Sequence, residues 1–149
     1  MKTTSAEYDV FQVFTEIAII NQLVKTAVES SLPGKLRMSH FGVMSHFIRR
    51  PHEQSPGHLA SSFQVTNAAM TNTLGKMQRW GYVDIRKNPN DSRAKLVSLS
   101  EKGSKAYQEA FETIIPIMQQ MLKDVDAETI LALEPGLRDL RIKLDASRN

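Results

Sequence analysis

The chain has 149 residues, no cysteine and a net charge of +3, and these properties exclude several classes of protein. The length predicts a single domain over residues 1–149 that can bury a sizeable core. The absence of cysteine excludes disulfides and thiolate metal sites, and it fits a reducing compartment. The sequence has no signal-peptide pattern and no apolar run of about eighteen residues, so we expect a cytoplasmic protein without a membrane segment.

The first part of the chain predicts two helices. Residues 5–31 predict a long helix with a wide apolar stripe, which ends at Pro33-Gly34. A second helix is expected to begin with Ser39 as its N-cap and to end before Pro51. The stripe of the first helix consists of Val10, Phe14, Ile17, Val24 and Val28.

The middle of the chain predicts a helix-turn-helix. Ser55-Pro56 indicates a cap followed by proline at the first position of a short helix. Gln64-Val65 is expected to form the turn, and Thr66 to cap a helix that runs to about Trp80. Gly81 follows in a position that favours the left-handed conformation, so the helix is expected to end there.

A β-hairpin is predicted directly after this helix. Its strands are residues 82–87 and 95–99, with the polar turn Asn88-Pro89-Asn90-Asp91 between them. From Lys76 to Lys105 the chain has eight basic and three acidic residues, an excess larger than the net charge of the whole chain. A helix-turn-helix followed by a basic hairpin is a winged helix, and a basic face is typical of proteins that bind nucleic acid. A merely solvated basic surface is the alternative.

Two further helices are predicted after the hairpin. One runs from Ser100 to about Val125 and is expected to bend, without breaking, at Pro116. The last is interrupted by Pro135-Gly136 and carries a seam of coiled-coil spacing. The residues of this seam are Ile130, Leu133, Leu137, Leu140 and Leu144.

The predicted elements divide the chain into a DNA-binding part at about 36–100 and dimerisation helices at about 5–31 and 104–146. The terminal helices are more apolar than a small DNA-binding unit needs for its own core. We therefore expect a two-fold dimer, which would place two recognition helices about one turn of DNA apart. The alternative is that these helices fold back on their own domain.

The helix after Thr66 has the pattern of a recognition helix. Met70, Leu74 and Met77 share one face and predict the core side. On the opposite face Asn72 suits a bidentate pair with adenine, while Lys76 suits a phosphate. Gly75 on this face suggests that another molecule approaches the backbone closely, since glycine weakens a helix. The alternative is an ordinary solvated helix side. The residues expected to contact DNA are Thr66, Ala68, Ala69, Thr71, Asn72, Lys76, Arg79, Arg86, Asp91, Arg93 and Lys95.

Arg93 is the main candidate on the hairpin. A guanidinium at the tip of a wing suits the narrow minor groove of A·T-rich DNA, where the negative potential is enhanced. Asp91 is expected to hold this guanidinium by a charge-assisted hydrogen bond. The alternative is that Asp91 and Arg93 pair only to stiffen the turn.

Several segments together resemble a known family over nearly the whole chain. They are Val65-Thr66, Trp80-Gly81-Tyr82-Val83, Asp91-Ser92-Arg93 and Leu96-Val97-Ser98-Leu99-Ser100-Glu101-Lys102-Gly103. In this order they resemble the multiple-antibiotic-resistance regulator (MarR) family of bacterial transcription factors. The resemblance implies a homodimeric winged helix-turn-helix regulator, usually a repressor, that leaves its operator when a small aromatic or phenolic ligand binds. It also implies that the wing arginine is Arg93, with Asp91 as its partner.

The chain departs from the pattern of the family at some positions. Asn72 stands near a position where members of the family commonly have a basic residue, which implies a different operator preference. Peroxide sensing through a cysteine is excluded, and the four histidines precede the wing without a spacing of four that would suit a metal. We therefore expect no metal and no cofactor. His40, Met44, His46 and Arg50 are the candidates for a ligand cleft, with Arg50 suited to a carboxylate.

The sequence also bears on two other function classes, an enzyme and a protein-binding module. An enzyme is not expected, because Ser45-His46 and Ser55 with His58 lack a nucleophile elbow and a third orienting group. No glycine-rich phosphate loop occurs either. The alternative that stays open is a winged helix that binds protein partners and has no affinity for DNA.

Overall fold

A computed structural model describes residues 5–147 of the chain. The helices and strands in this range are α1 (Ser5–Ser31), α2 (Met38–Arg49), α3 (Pro56–Ser62), α4 (Asn67–Arg79), β1 (Val83–Asn88), β2 (Asp91–Leu99), α5 (Glu101–Met121) and α6 (Ala127–Ala146). The chain divides into two compact units, of which the first ends at Ile114 and the second begins at Ile115. The expected class, mainly helical with a small hairpin wing, is confirmed.

The core of the first unit lies among α2, α3, α4 and the hairpin. The predicted inner face of α4 is confirmed, because Met70, Leu74 and Met77 are all buried. These residues recur at helical spacing, so one side of the helix packs and the other is left for solvent. The largest fully buried side chains among the described residues are Val43, Met44, Leu59, Leu74, Met77, Val83 and Val97.

The start of α2 differs from the prediction. Its N-cap is Arg37, and the expected cap Ser39 lies inside the first turn. The free amides of this end have other acceptors: Glu29 accepts from the backbone N–H of Met38 at 2.7 Å, and Nδ1 of His40 accepts from that of Arg37 at 3.1 Å. A carboxylate from α1 thus takes the place of a local cap, because the first amides of a helix need an acceptor from outside the helix.

The turn between α3 and α4 follows the predicted pattern. The hydroxyl of Ser55 accepts from the backbone N–H of His58, and that of Thr66 accepts from the backbone N–H of Ala69, both at 3.1 Å. Gln64 between them adopts a φ of 55°, in the left-handed region. At the other end of α4, Gly81 has a φ of 77°, as its predicted role requires.

The hairpin is longer than predicted on its second strand. The strands pair antiparallel from Val83 with Leu99 to Lys87 with Lys95, and then the register shifts so that Asn88 pairs with Asp91. The shift leaves residues 92–94 without a partner in β1, and Gln54 pairs with Val97 on the other side of β2. The wing therefore has two strands, and Gln54 adds a single β-bridge in the place of a third strand.

α5 begins directly at the base of the hairpin. The hydroxyl of Ser100 donates to the carbonyl of Gly81 at 2.6 Å and accepts from the backbone N–H of Gly103 at 2.9 Å. Gly103 packs so closely that a Cβ at this position would lie 2.1 Å from the carbonyl oxygen of Tyr82. The helix continues through Pro116 but ends at Met121, earlier than the predicted end near Val125.

The two terminal helices expose most of their apolar residues. In α1 only Val28 is buried, and Tyr8, Phe11 and Leu23 are each about 60% exposed. α6 is capped by Asp126, which accepts from the backbone N–H of Thr129, and it runs through Pro135 without a break. None of its described residues is buried. Among residues 5–147, no helix has the length and apolarity needed to cross a membrane.

Candidate nucleic-acid interface

The outer face of α4 is polar, small and open to solvent. Ala68, Ala69, Thr71, Asn72 and Arg79 are exposed, while Lys76 is half-buried. Gly75 also lies on this face, and a Cβ at this position would meet the guanidinium of Arg79 at an ordinary contact distance of 3.8 Å. The first two turns carry no charged side chain, so this end offers amide, hydroxyl and methyl groups. Such groups match the edges of A·T pairs in a major groove.

The tip of the wing presents Arg93 and Lys95 to solvent. The sequence predicted that Asp91 holds the guanidinium of Arg93, and the structure shows that it does not. Its Oδ1 accepts from the backbone N–H of Arg93 at 3.0 Å, and within residues 5–147 no ion pair joins the two side chains. In a turn, an aspartate side chain readily accepts a hydrogen bond from the backbone N–H two residues ahead. Asp91 therefore shapes the turn, and the guanidinium of Arg93 is left without that carboxylate.

Arg86 is engaged by a carboxylate that the sequence analysis did not identify. Its Nε donates to Oε1 of Glu53 at 2.6 Å, and its Nη2 donates to Oε2 at 2.5 Å. This two-pronged hydrogen bond lowers the pKa of Glu53. Thirty-three positions separate the two residues, so no local pattern points to the pair. Arg86, which was expected to contact DNA, thus has a partner within the chain.

Three of the four candidates for a ligand cleft belong to the core. Met44 is completely buried, and His46 is buried with its Nε2 at 2.9 Å from Oε1 of Gln54. Burial lowers the pKa of His46, which favours the neutral ring, although the hydrogen bond to Gln54 acts in the opposite direction. Arg50 is exposed. The apolar spacing of α2 turns the buried positions inward, and the ligand cleft around them stays a prediction.

His40, the third buried candidate, joins the start of α2 to the end of α4. Its ring lies edge-on to Trp80, with centroids 4.8 Å apart, and the ammonium of Lys35 lies 4.8 Å from the centre of the same indole. Burial lowers the pKa of His40, and the positive charges of Lys76 and Arg37 add to this effect against the opposing charge of Glu29. A neutral His40 keeps the lone pair that accepts the amide of Arg37.

The described residues contain no group of three or more histidine, aspartate or glutamate side chains placed to hold a metal ion. The exposed polar features of the helix-turn-helix and the hairpin are the outer face of α4, with its cap Thr66, and the basic wing beside it. A helix of this width fits a major groove, and a hairpin beside it reaches the neighbouring minor groove.

Comparison with known proteins agrees with this geometry. The model of the MarR family matches residues 35–94, which include α2, α3, α4 and the hairpin to Arg93. MarR from E. coli in its apo form is 25% identical, with a TM-score of 0.73 over 85% of this chain and 93% of that one. Residues 35–94 of the chain are thus a match to the MarR family.

Other solved MarR-like structures extend the likeness to nearly the full chain. A mutant of E. coli MarR in complex with operator DNA is 23% identical, with a TM-score of 0.72 over 92% of this chain and 99% of that one. The regulator BldR from Sulfolobus solfataricus is 22% identical, with a TM-score of 0.79 and coverage of 95% and 99%. The organohalide-sensing regulator RdhR, solved with 2,4-dichlorophenol, is 18% identical, with a TM-score of 0.73 and coverage of 97% and 88%. MarR-family members are transcriptional regulators and not enzymes, which agrees with the expectation from the sequence.

Proposed function

We propose that this chain is a ligand-responsive repressor of the MarR family that binds a pseudo-palindromic operator in double-stranded DNA as a homodimer. The observation that carries the proposal is the pairing of an exposed, polar face on α4 with an exposed Arg93 on the adjacent wing. The helix supplies contacts to base edges, and the wing supplies a guanidinium for a minor groove. The operator complex of E. coli MarR supports DNA as the partner.

The homodimer is supported by the apolar surface of the terminal helices. α1 exposes Phe11, Ile20 and Leu23, each by more than half, and α6 exposes Leu133 by 53%. Soluble proteins that stay monomeric rarely leave large apolar patches in water. A second copy of the same chain would cover this apolar surface, and two-fold symmetry would then present two recognition helices to the two halves of the operator.

The ligand response is supported by a stack of aromatic rings between α2 and α5. Phe41 stacks on Tyr107 with centroids 5.0 Å apart, and Tyr107 stacks on Phe111 at 6.0 Å. Phe111 at the end of the stack is 46% exposed. A planar aromatic or phenolic effector would extend such a stack, since offset stacking favours flat rings. RdhR with its bound dichlorophenol supports this class of effector.

A repressor must reach the chromosome, so the proposed function places the protein in the bacterial cytoplasm. The function is tested by selecting bound duplexes from a random pool and measuring the affinity at several salt concentrations. We expect a pseudo-palindrome with half-sites about one helical turn apart and an affinity that falls steeply with salt. Titration of 2,4-dichlorophenol into the complex tests release of the operator. No binding to any duplex at low salt would contradict the proposal and would favour a protein-binding winged helix.

A further inference from the structure

The ion pair between Glu53 and Arg86 spans the whole width of the wing. Glu53 precedes Gln54, whose backbone pairs with Val97 of β2 through hydrogen bonds of 3.0 and 2.8 Å. Arg86 lies on β1, on the other side of β2. Neighbouring strands lie about 4.8 Å apart, so the side chain of Arg86 crosses about two strand spacings to reach Glu53.

The alternation of side chains along the strands places both partners on the same face of the sheet. Gln54, Val97 and Ile85 are paired across the sheet and share one face. Residues one position away from them, among them Glu53 and Arg86, therefore share the opposite face. The pair thus closes over β2 on the outer side, while the bridge at Gln54 fixes the same segment from the backbone.

The segment that holds Glu53 is itself tied to the helices. The side chain of Gln54 reaches His46 on α2, and the hydroxyl of Ser55 caps α3. Residues 53–55 thereby connect the wing with the helix-turn-helix over three successive positions. The hydrogen bond from Ser100 to Gly81 joins the far end of β2 to the turn that follows α4.

The stability of the fold does not explain this ion pair. Its side chains are 53% and 35% exposed, and ion pairs at such positions contribute little to the free energy of unfolding. A two-pronged arginine–carboxylate contact does fix direction, because both groups are planar and meet in one orientation. The pair also neutralises a guanidinium that would otherwise attract phosphates at any sequence.

We propose that Glu53 and Arg86 are positioning residues that set the distance between the wing tip and the recognition helix, and hence the spacing of the DNA segments that the two elements read. The inference rests on the proposed operator binding. In this arrangement Arg86 does not contact DNA. The pair holds β1 and β2 so that Arg93 meets the minor groove at a fixed number of base pairs from the bases under Asn72.

The test compares the full-length wild type with Glu53→Gln, Arg86→Gln and the exchanged double variant Glu53→Arg/Arg86→Glu. Lys87→Gln is the matched control, because it removes a positive charge from the next position of β1 and leaves the pair intact. Affinity is measured for the selected operator and for operators with one base pair added or removed between the segments read by α4 and by the wing. Thermal melting is measured in parallel.

We expect each single variant to bind the selected operator about tenfold more weakly and to distinguish the altered spacings poorly, with an unchanged melting temperature. The exchanged variant recovers both the affinity and the spacing preference, because it restores the pair with opposite polarity. Lys87→Gln keeps the wild-type spacing preference.

Two results would overturn the inference. The first is an exchanged variant as weak as Arg86→Gln alone, or a Glu53→Gln variant that binds every sequence more tightly, since either would make Arg86 a direct phosphate contact. The second is wild-type affinity and spacing preference in both single variants. A wild-type protein that binds no operator specifically would instead contradict the proposed function itself.

Discussion

At the scale of single residues, Arg93 makes the sharpest prediction. Its side chain is exposed, and Asp91 accepts from its backbone N–H rather than from its guanidinium, so the guanidinium is available for the minor groove. Arg93→Ala should weaken operator binding by about 1–3 kcal/mol per wing and should reduce the slope of log K against log salt by about two per dimer. Titrations by fluorescence anisotropy at several salt concentrations measure both quantities.

Asp91 supplies the control for this prediction. Asp91→Ala removes the acceptor of the Arg93 amide and should weaken binding by less, whereas Asp91→Asn keeps a side-chain oxygen and should keep the turn. The dimer and its melting temperature should be the same in all three variants. If Arg93→Ala binds the operator with unchanged affinity and salt slope, Arg93 does not contribute to DNA binding, and the contact with Asp91 only stabilises the turn.

Asn72 and Lys76 are expected to differ in kind although they lie one turn apart on α4. Asn72 is exposed at the centre of the polar face, while Lys76 is half-buried near Trp80 and His40. Asn72→Ala should relax the preference for one base in each half-site, whereas Lys76→Ala should weaken specific and scrambled duplexes about equally. Repeating the selection from a random pool with each variant measures this difference. Equal losses on both kinds of DNA for both variants would contradict the assignment.

At the scale of elements, the local patterns predicted most of the fold. Helical spacing predicted the buried face of α4, and the predicted caps Ser55 and Thr66 each accept a hydrogen bond from an amide of the first helical turn. Such signals act within four residues, so they can be read from the sequence. The same local signals predicted Arg93 at the wing.

The errors concern partners that lie far apart in the sequence. Glu29 caps α2 from nine residues away and Glu53 binds Arg86 from the opposite edge of the wing. Neither pairing leaves a periodic or local signal, because it depends on the tertiary arrangement of the helices. The burial of His40 and His46 could not be predicted for a related reason, since a histidine on a helix has the same pattern whether it packs in the core or lines a cleft.

The junction of α5 with the wing yields a prediction at this scale. Gly103→Ala would place a Cβ against the carbonyl of Tyr82 and near Leu99, so the helix or the strand has to shift. We expect a loss of about 3 kcal/mol in the free energy of unfolding, measured by urea denaturation. The wing would move with it and operator affinity would fall.

Gly75→Ala is the matched control, because it introduces the same methyl group into a helix at a position where the methyl makes only an ordinary contact with Arg79. It should raise stability by about 1 kcal/mol. If DNA approaches the backbone at Gly75, the same variant should bind the operator more weakly despite its greater stability. A Gly103→Ala protein as stable as the wild type would show that the contact with Tyr82 relaxes without cost.

At the scale of the whole molecule, charge and apolar surface are distributed over different parts of the chain. The basic excess is concentrated between Lys76 and Lys105, while the exposed large apolar residues occur mainly on α1 and α6. This division fits a protein that meets a polyanion with one part and a second copy of itself with another. A dimer also presents Arg93 and Asn72 twice, so each contact on DNA is doubled.

The seam of α6 makes the final prediction. Leu137 is 47% exposed although its spacing with Leu133, Leu140 and Leu144 is that of a packing seam, so a partner surface is needed to bury it. Deletion of the residues after Lys123 should yield a monomer or insoluble protein. Leu137→Glu should dissociate the dimer, because a carboxylate would be buried without a partner. Leu131→Glu is the matched control, since Leu131 lies off the seam and is 71% exposed.

Light scattering measures the mass of each variant, and operator binding should be lost together with the dimer. If Leu137→Glu and the deletion both remain dimeric, the two copies meet through another surface, and the exposed face of α1 becomes the region to substitute next.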